Sequence, residues 1–515
     1  MTTEGPVMKA PQRRDRPVRG LDTVVADLAG VTGARVATLA LGLVTVALAA
    51  RILTPEGYAV IAYMTLGASL VSVVAAGWST AAVVRFGREE LDRTSSMRST
   101  AWARAALTLP ILIAASALLP VLKASGALPH EFAWPYVWLT VALGIFFVAA
   151  EQIQVVLDAA GRMRFSAASA AARQALLVAG LAVIAVTGAG RATLTVAWLT
   201  VAVAAALMLA LSGALRGLAL WPPRLDRPQL RRIAIFSVPL IAFTASQYGI
   251  RSVDIVALRA YGAPEEVGVY AIAYQSYMML QTLAVTITIV LVPLFVSLRE
   301  AGREALVARY FERLVPQAIF ATSVLGGLLA AFVTLVVPTV FGNAFEGAAK
   351  PLALLAVALV LTTIASLVAP ILMLHERTRE TSLVNVAAFI ANVVGDVLLV
   401  GVLGMGISGP ALATIGALAI VVGGYFVTAR RDVGTRPALS PGLALPCAAG
   451  VLPAVLIGGP VGAALGLAAT VAAAAIVLRL VALFSEEDAE LVARLDLPAP
   501  IRARTAAAII RLARG

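Results

Sequence analysis

Charged residues are scarce in this chain. Only 13% of its 515 residues are Asp, Glu, Lys or Arg, whereas 60% are hydrophobic and the mean hydropathy is +0.93. An ordinary soluble domain contains about 25% charged and about 45–50% apolar residues, and a disordered chain is less hydrophobic still. The composition therefore excludes a soluble globular protein and leaves a protein that crosses a membrane many times.

Cysteine and histidine are also rare. Cys447 is the single cysteine, so no disulfide can form within the chain. The two histidines, His130 and His375, lie far apart in the sequence and cannot supply a His/Cys metal cluster. Disulfide scaffolds and zinc chemistry are thereby excluded, and we expect no cofactor.

Acidic residues are outnumbered by basic ones, 28 against 40, which gives a net charge of +12. In a soluble protein this excess would suggest nucleic acid as a partner. Here the basic residues lie mostly in the loops between apolar runs, so we expect no nucleic-acid partner. The positions of the basic residues therefore indicate first how the spans are oriented in the membrane.

Fourteen apolar runs are long enough to cross a bilayer, whose core of about 30 Å needs about 20 helical residues. These predicted spans are 26–50, 57–83, 99–122, 134–157, 165–188, 192–215, 233–258, 267–298, 314–338, 351–374, 381–402, 406–429, 441–458 and 461–478. Runs of this length predict helices and not a transmembrane barrel, whose strands have about 10 residues. The predicted fold class is an all-α polytopic membrane protein with about 14 transmembrane helices.

The basic residues orient these spans. The two tails and the even-numbered junctions contain 31 of the 40 Lys and Arg residues, whereas the odd-numbered junctions contain 5. By the positive-inside rule, both termini are expected in the cytoplasm. The first apolar run is too long for the core of a signal peptide, so we expect a retained basic tail on a protein of the cytoplasmic (inner) membrane.

A repeat of six spans divides the chain. The segment RILTPEGYAVIAY at 51–63 resembles RAYGAPEEVGVYAIAY at 259–274, and GRMR at 161–164 resembles ERTR at 376–379. Because six is even, the two copies have the same orientation and should be related by an axis along the membrane normal. We therefore predict two pseudo-symmetric six-helix bundles with two C-terminal helices added.

The repeat also sets the predicted domain boundaries. The C-terminal tail alternates Ile and Leu with Arg, as an amphipathic helix on anionic lipid would. The predicted segments are a basic cytoplasmic tail (1–23), an N-terminal lobe (24–215), a cytoplasmic linker (216–232), a C-terminal lobe (233–430), helices 13 and 14 (431–478) and a cytoplasmic amphipathic tail (479–515).

Several ionisable residues lie inside predicted spans. Each costs about 2.5–3.5 kcal/mol at the bilayer centre on insertion scales, so each should face a cavity or a partner. Arg104 is only about six residues, or about 9 Å, inside its span, and we expect its side chain to reach the cytoplasmic headgroups. The others are Arg35, Glu151, Arg173, Arg251, Asp254 and Asp396.

Polar residues share one helix face on three spans. The stripes are Gln247, Arg251 and Asp254; Tyr270, Tyr274, Tyr277 and Gln281; and Asn385, Asn392 and Asp396. Two plainer interpretations remain open at this point: Arg251 and Asp254 neutralise each other, and Tyr270 belongs to the aromatic belt at the outer interface.

An anionic ligand that carries sugar fits these stripes. Guanidinium groups bind phosphate oxygens in forks, and phenols and amides suit sugar hydroxyls. The predicted substrate-binding residues are Arg35, Arg251, Arg173, Gln247, Tyr274, Tyr277 and Gln281. The candidates for a coupling-ion site, or for simple counter-charges, are Asp254, Glu151, Asp396 and Asn392. Pro110, Pro239, Pro293 and Pro370 are predicted to kink their helices.

Short motifs along most of the chain resemble the polysaccharide transporters, or Wzx-type oligosaccharide flippases, of the multidrug/oligosaccharidyl-lipid/polysaccharide flippase superfamily. The matching residues are Ala50 and Arg51 with Leu53, Pro55 and Tyr58; Gly77 to Glu90 with Arg85; Gly161 and Arg162; Asp254 followed by Val267, Gly268, Val269 and Tyr270; Pro293; Phe341 and Gly342 with Phe345; and Leu403 to Gly409 with Ala411 and Thr414. Ala59 departs from the pattern, since glycine is more usual there.

The resemblance implies a V-shaped pair of bundles that moves a polyprenyl-pyrophosphate-linked oligosaccharide to the outer leaflet by alternating access. In such flippases a cationic central cavity holds the pyrophosphate and sugar. Arg35 and Arg251 are assigned to this role by chemistry and depth and not by a motif match. The implied partners are the lipid-linked sugar, membrane lipids and a downstream polymerase or ligase, and the protein is not expected to be an enzyme.

Two other functions are considered. A multidrug or cation antiporter of the same superfamily should have a cavity dominated by carboxylates, whereas four intramembrane Arg residues face three acidic ones here. A polyprenyl-sugar-dependent glycosyltransferase or ligase should have a sizeable external loop with an acid or base, but the external junctions are short. His130 and Glu131 in one of them are interpreted as ordinary loop residues.

Overall fold

The computed structural model describes residues 21–188, 192–300, 302, 304–434, 440–481 and 483. Within these ranges the ordered elements are helices and no strand occurs. The predicted tails, 1–23 and 479–515, lie almost wholly outside the described residues, and so does the amphipathic pattern of the C-terminal one.

Each predicted span overlaps a helix. In the first half these are α1 (Leu21–Ile52), α2 (Pro55–Ala75), α3 (Thr80–Thr94), α4 (Arg98–Ala124), α5 (Trp134–Ala159), α6 (Met163–Thr187) and α7 (Ala192–Ala214). In the second half they are α8 (Arg227–Tyr261), α9 (Pro264–Glu300), α11 (Val315–Phe341), α12 (Ala349–Leu374), α13 (Thr378–Asp396), α14 (Ser408–Val433), α15 (Leu445–Leu456) and α16 (Gly459–Leu480). The short helix α10 (Glu304–Arg309) lies between two predicted spans.

Among the described residues, eleven helices are long and apolar enough to cross a membrane, or twelve if the bent helix α8 counts as one span. Helix α15 belongs to a shorter apolar segment, Gly442–Leu456. An all-helical fold with many spans is thus confirmed, whereas the number fourteen stays a prediction.

The second predicted span is wrong in its extent. Helix α2 ends at Ala75, a 3-10 turn follows at Gly77–Ser79, and α3 then begins as a separate helix. The run 57–83 is therefore not one helix. Glycine weakens a helix at this position, and α3 carries alternating acidic and basic residues that belong outside the hydrocarbon. At the break the carbonyl of Ala76 accepts from the backbone N–H of Ser79 at 3.1 Å and from the Ser79 hydroxyl at 2.8 Å.

Helix α8 is bent by 51° between its parts Arg227–Val238 and Leu240–Tyr261. The bend lies at Pro239, which lacks the N–H that a continuous helix would use. The kink predicted from this proline is confirmed. It sets the direction of the later part of α8, which carries Gln247, Arg251 and Asp254.

Helices pack mainly within their own half of the chain. Helix α1 lies against α6, and α5 lies between α2 and α7; in the second half, α12 lies against α9, α11 and α14, and α13 against α8 and α14. Helices α15 and α16 pack on α11. Between the halves, α1 and α2 contact α9, and α4 contacts α8.

Polar contacts join the two halves at the predicted outer end. Arg51 Nε donates to the carbonyl of Val340 at 3.0 Å, and Arg51 also donates to the carbonyl of Thr339. Arg259 forms an ion pair with Glu131 at 3.3 Å. Glu131 is therefore more than a loop residue, because it ties the first half of the chain to α8.

A second set of contacts joins the halves at the predicted cytoplasmic end. Arg232 Nη2 donates to Glu89 Oε2 at 2.7 Å, and the Arg232 guanidinium lies 4.1 Å from the ring centroid of Phe86. The hydrogen bond from Arg232 holds the pKa of Glu89 below its ordinary value. Polar contacts thus join the two halves at both ends of their interface.

Close backbone approach joins α11 to the two C-terminal helices. A Cβ added at Gly450 on α15 would collide with the carbonyl oxygen of Gly327 on α11 and with Thr470 on α16. Small residues at such crossings let membrane helices pack without a hydrophobic driving force. We expect Gly450→Ala to lower the melting temperature, since overpacking costs roughly 1–3 kcal/mol.

The matched control is Gly416→Ala on α14, where an added Cβ meets no atom within 4 Å. Alanine is the better helix former, so this variant should melt at the same temperature as the wild type or above it. Thermal unfolding of both purified variants in detergent tests the prediction. Equal melting temperatures for the two variants would contradict it.

Candidate functional site

A cavity of about 350 Å³, here called the second-half cavity, lies among helices α8, α9, α12, α13 and α14. It brings together five of the predicted substrate-binding residues. These are Gln247, Arg251, Tyr274, Tyr277 and Gln281. The later part of α8 and the first turns of α9 present them because the polar stripes repeat every three or four residues.

Arg251 is the cationic group of this cavity. Its side chain is exposed, and within the described residues it makes no hydrogen bond or ion pair. Asp254 is not its partner: that carboxylate accepts hydrogen bonds from Tyr270 and, at 3.0 Å, from Thr414. The alternative in which Arg251 and Asp254 neutralise each other is therefore wrong.

Hydroxyl and amide groups form the wall beside Arg251. Gln281 Nε2 donates to the Tyr277 hydroxyl at 3.2 Å, and that hydroxyl lies 3.0 Å from Thr362 Oγ1. On the opposite side, Gln247 Nε2 donates to Asn385 Oδ1 at 2.5 Å. No carboxylate belongs to the described lining of this cavity, so its potential is set by the guanidinium.

Two carboxylates lie buried behind the cavity wall. Asp254, Asn392 and Asp396 are all fully buried, and Asn392 and Asp396 lie beside Asp254. Among the described residues, one oxygen of Asp254, both oxygens of Asp396 and both polar atoms of the Asn392 amide have no hydrogen-bond partner. Buried charges without partners are costly, so this group requires a cation or protons.

Tyr270 belongs to this acidic group and not to an aromatic belt. It is fully buried, and its hydroxyl donates to Asp254. Its ring stacks on that of Tyr274 with centroids 5.8 Å apart. Because Tyr274 lines the cavity, the tyrosine stripe connects the acidic group with the ligand space.

A second space, here called the first-half cavity, lies among helices α2, α5, α6 and α7 and has a volume of about 410 Å³. Glu151 and Arg173 both line it. The Arg173 guanidinium lies 5.9 Å from the ring centroid of Phe147, within range of a cation–π contact. These two predicted residues thus lie apart from the second-half cavity.

The expectation for Arg104 is wrong. Its side chain is fully buried and does not reach the headgroups. Its guanidinium donates to Glu151 at 3.0 Å, to Gln152 at 3.0 Å and to the carbonyl of Ala76 at 3.1 Å. The helix break after α2 explains this, since it places the carbonyl of Ala76 and the hydroxyls of Ser79 and Thr80 beside the guanidinium.

Arg35 lies half-buried on α1 and does not line either cavity as described. Its predicted role in substrate binding stays a prediction.

Several residues of the site could not be predicted from the sequence. Thr362 and Thr414 contact Tyr277 and Asp254, but a threonine in an apolar helix carries no signal of its own. Ser72 and Thr80 bind Glu151 at 2.9 Å each. The sequence offered one signal for these hydroxyls: Glu151 has no partner on its own helix, so hydrogen-bond donors from other helices should surround it.

Comparison with known proteins agrees with this architecture. The sequence profile of a family described as "Polysaccharide biosynthesis protein" matches residues 24–299. None of the curated protein sequences matches the chain.

Solved structures share the fold at low sequence identity. One, "Lipid II flippase MurJ, inward closed conformation", has a TM-score of 0.68 at 13% identity and covers 87% of this chain and 98% of its own. Another, an inward-facing multidrug resistance MATE family transporter of the MOP superfamily, has a TM-score of 0.57 at 16% identity and covers 77% of this chain and 94% of its own.

The buried pair in the first half should contribute strongly to stability. Arg104→Met leaves Glu151 without its cationic partner, and losing one member of a buried pair costs roughly 3–5 kcal/mol. Glu151 retains 25% exposure, so we expect the lower part of that range. The double variant Arg104→Met/Glu151→Gln should recover part of the loss, as measured by thermal unfolding in detergent.

Arg88→Met on α3 is the matched control. Arg88 forms a 3.3 Å ion pair with Asp92, and both side chains are nearly half exposed. Such surface pairs contribute about 0–1 kcal/mol. Equal melting temperatures for Arg104→Met and Arg88→Met would refute the structural role of the buried pair.

Proposed function

Because this chain belongs to the polysaccharide biosynthesis protein family, we propose that it is a flippase that translocates a polyprenyl-pyrophosphate-linked oligosaccharide across the cytoplasmic membrane for the assembly of cell-surface glycans. The observation that carries the proposal is the exposed guanidinium of Arg251 in a cavity whose described lining holds no carboxylate. A diphosphate is the anion that matches it, since arginine binds phosphate oxygens in a fork.

The neighbouring groups suit the rest of the headgroup. Tyr277, Gln281 and Thr362 form a chain of hydroxyl and amide groups on one wall. Such groups both donate and accept hydrogen bonds, as sugar hydroxyls do. The fold similarity to a lipid II flippase supports the same class of substrate.

Translocation proceeds by alternating access between the lobes 24–215 and 233–430, with both termini in the cytoplasm. Opening outward breaks the contacts of Arg51 and the ion pair Arg259–Glu131, and opening inward breaks Arg232–Glu89. The translocated lipid is then passed to a polymerase or ligase at the outer leaflet. The protein itself carries out transport and not catalysis.

The acidic group couples this cycle to a cation. Asp254, Asn392 and Asp396 offer buried oxygens without partners, and Thr414 and Tyr270 bind the same carboxylate of Asp254. Carboxylate, amide and hydroxyl oxygens are the ligands of hard cations. The Tyr270–Tyr274 stack joins the group to the second-half cavity, so cation binding and ligand binding can influence each other.

A multidrug antiporter is the second candidate function, because the fold is also that of a MATE transporter. An organic cation needs a carboxylate facing the ligand. In the second-half cavity the described lining has none, and Glu151 in the first half is already paired with Arg104. The cavity charge therefore favours an anionic substrate.

Arg251→Ala should abolish translocation of a polyprenyl-pyrophosphate-linked oligosaccharide with a labelled sugar in proteoliposomes, without loss of expression or folding. The reason is the loss of the guanidinium that Arg251 contributes to the described lining of the second-half cavity. Arg430→Ala, at the exposed end of α14, is the control and should transport normally. A wild-type rate in Arg251→Ala would rule out the proposed diphosphate site, and drug efflux by a protein inactive on the lipid would favour the antiporter.

Asp396→Asn should remove the dependence of translocation on an imposed Na⁺ or pH gradient, because the acidic group loses one of its two carboxyl groups. The measurement is the initial rate in proteoliposomes with and without each gradient. Glu376→Gln, exposed after α12, should keep the full dependence. If wild-type transport ignores both gradients, or if Asp396→Asn still responds, the coupling role is excluded.

A further inference from the structure

The proposed diphosphate site lies in the second-half cavity and does not include the first-half cavity. The latter is the separate space of about 410 Å³ among helices α2, α5, α6 and α7, which is within the common range of about 300–1,000 Å³ for ligand sites. Its polar lining consists of Glu151, Gln154, Arg173, Ser69 and Ser72. These groups determine which ligand chemistry the cavity can bind.

Glu151 makes this cavity unlike the second-half cavity. Its side chain is 25% exposed, and it belongs to the lining. Because Glu151 is paired with Arg104, its carboxylate presents hydrogen-bond acceptors without an unbalanced negative charge, and such acceptors bind hydroxyl groups strongly. The ligand that enters here therefore carries hydroxyl donors.

The carboxylate is held rigidly. One oxygen accepts from Thr80 at 2.9 Å and from Arg104 at 3.0 Å, and the other accepts from Ser72 at 2.9 Å. Arg104 is itself anchored by Ser79 and Gln152 at 3.0 Å each. A binding group fixed in this way loses little conformational entropy when a ligand arrives.

Aromatic and amide groups complete the lining. Phe146 and Phe147 supply apolar ring surface, and Gln154 supplies an amide whose Nε2 lies 3.3 Å from Ser169 Oγ. Arg173, on the opposite helix, supplies donors for ring or hydroxyl oxygens. Ring surface beside a carboxylate, an amide and a guanidinium matches the alternating apolar and hydroxyl surfaces of a sugar.

The first-half cavity also communicates with the interface between the halves. A smaller cavity of about 110 Å³ shares Phe147 and Arg173 with it and reaches Gln275 and Met279 on α9. Another face of α9, with Tyr277 and Gln281, lines the second-half cavity. The two cavities thus lie on either side of the same helix.

We propose that the first-half cavity is a carbohydrate subsite, in which Glu151 and Gln154 bind hydroxyl groups of the glycan while Arg251 holds the diphosphate in the other half. The proposal rests on the proposed flippase function and extends it. One half then recognises the charge of the ligand, and the other half recognises its sugar.

The test compares two probes on the purified full chain in nanodiscs: bare polyprenyl pyrophosphate and polyprenyl pyrophosphate that carries a neutral disaccharide. The wild type should bind the glycan-bearing probe about tenfold more tightly, as one or two charge-assisted hydrogen bonds imply. Glu151→Gln and Gln154→Leu should each remove most of this preference and leave the affinity for the bare probe unchanged. Arg251→Ala should weaken both probes.

Asp158→Asn is the matched control, because Asp158 lies on the same helix as Glu151 but outside the cavity lining; it should keep the preference. Gln154 is not among the described hydrogen-bond partners of Arg104, and its amide is instead hydrogen-bonded to Ser169. Gln154→Leu therefore tests the subsite without removing a hydrogen bond of the buried pair, and thermal unfolding verifies that each variant is folded.

Equal affinity of the wild type for the two probes, an unchanged preference in Gln154→Leu, or an equal loss for both probes in Glu151→Gln would overturn the subsite. In each of these cases the flippase proposal stands as long as Arg251→Ala weakens both probes. A wild type that binds neither probe would instead overturn the proposed function itself.

Discussion

The cost of placing a charge inside the bilayer governs this structure. An ionised group removed from water must be hydrogen-bonded, paired or directed into a cavity. All three solutions occur among the described residues. Arg104 and Glu151 pair within a shell of hydroxyls, Asp254 and Asp396 share a buried group with Tyr270 and Thr414, and Arg251 projects into a cavity.

Irregular backbone makes these solutions possible. At the break between α2 and α3 the carbonyl of Ala76 accepts from Arg104 as well as from Ser79, and the 51° bend at Pro239 orients the segment of α8 that carries Arg251 and Asp254. A helix in hydrocarbon satisfies its own backbone groups, so a break is tolerated only where protein groups replace the lost hydrogen bonds. These two departures from ideal helix geometry thus set the contacts of Arg104 and the direction of the helix segment that carries Arg251 and Asp254.

Each half of the chain contains a cavity, and the two cavities differ in charge. The second-half cavity has a guanidinium and no carboxylate in its described lining, whereas the first-half cavity has both Glu151 and Arg173. This asymmetry is what a headgroup with an anionic and a polyhydroxyl part would require. It also explains how a fold shared with a lipid II flippase and with multidrug transporters can serve different substrates, since identities of 13% and 16% leave the cavity walls free to change.

Composition and hydrophobic patterning determined that the chain is an all-helical membrane protein, and they located most helices to within a few residues, because burial in lipid acts on whole segments of about 20 residues. They did not separate α3 from α2. Helical spacing likewise predicted that Gln247 and Arg251 share a face, as do Tyr274, Tyr277 and Gln281. Only the tertiary structure decided which faces meet. The partners of Arg104 come from α3 and α5, and those of Asp254 come from α9 and α14. Contacts between distant segments leave no local pattern in the sequence, so the pairing of charges, and with it the division between a buried pair and a free guanidinium, depends on how the helices pack.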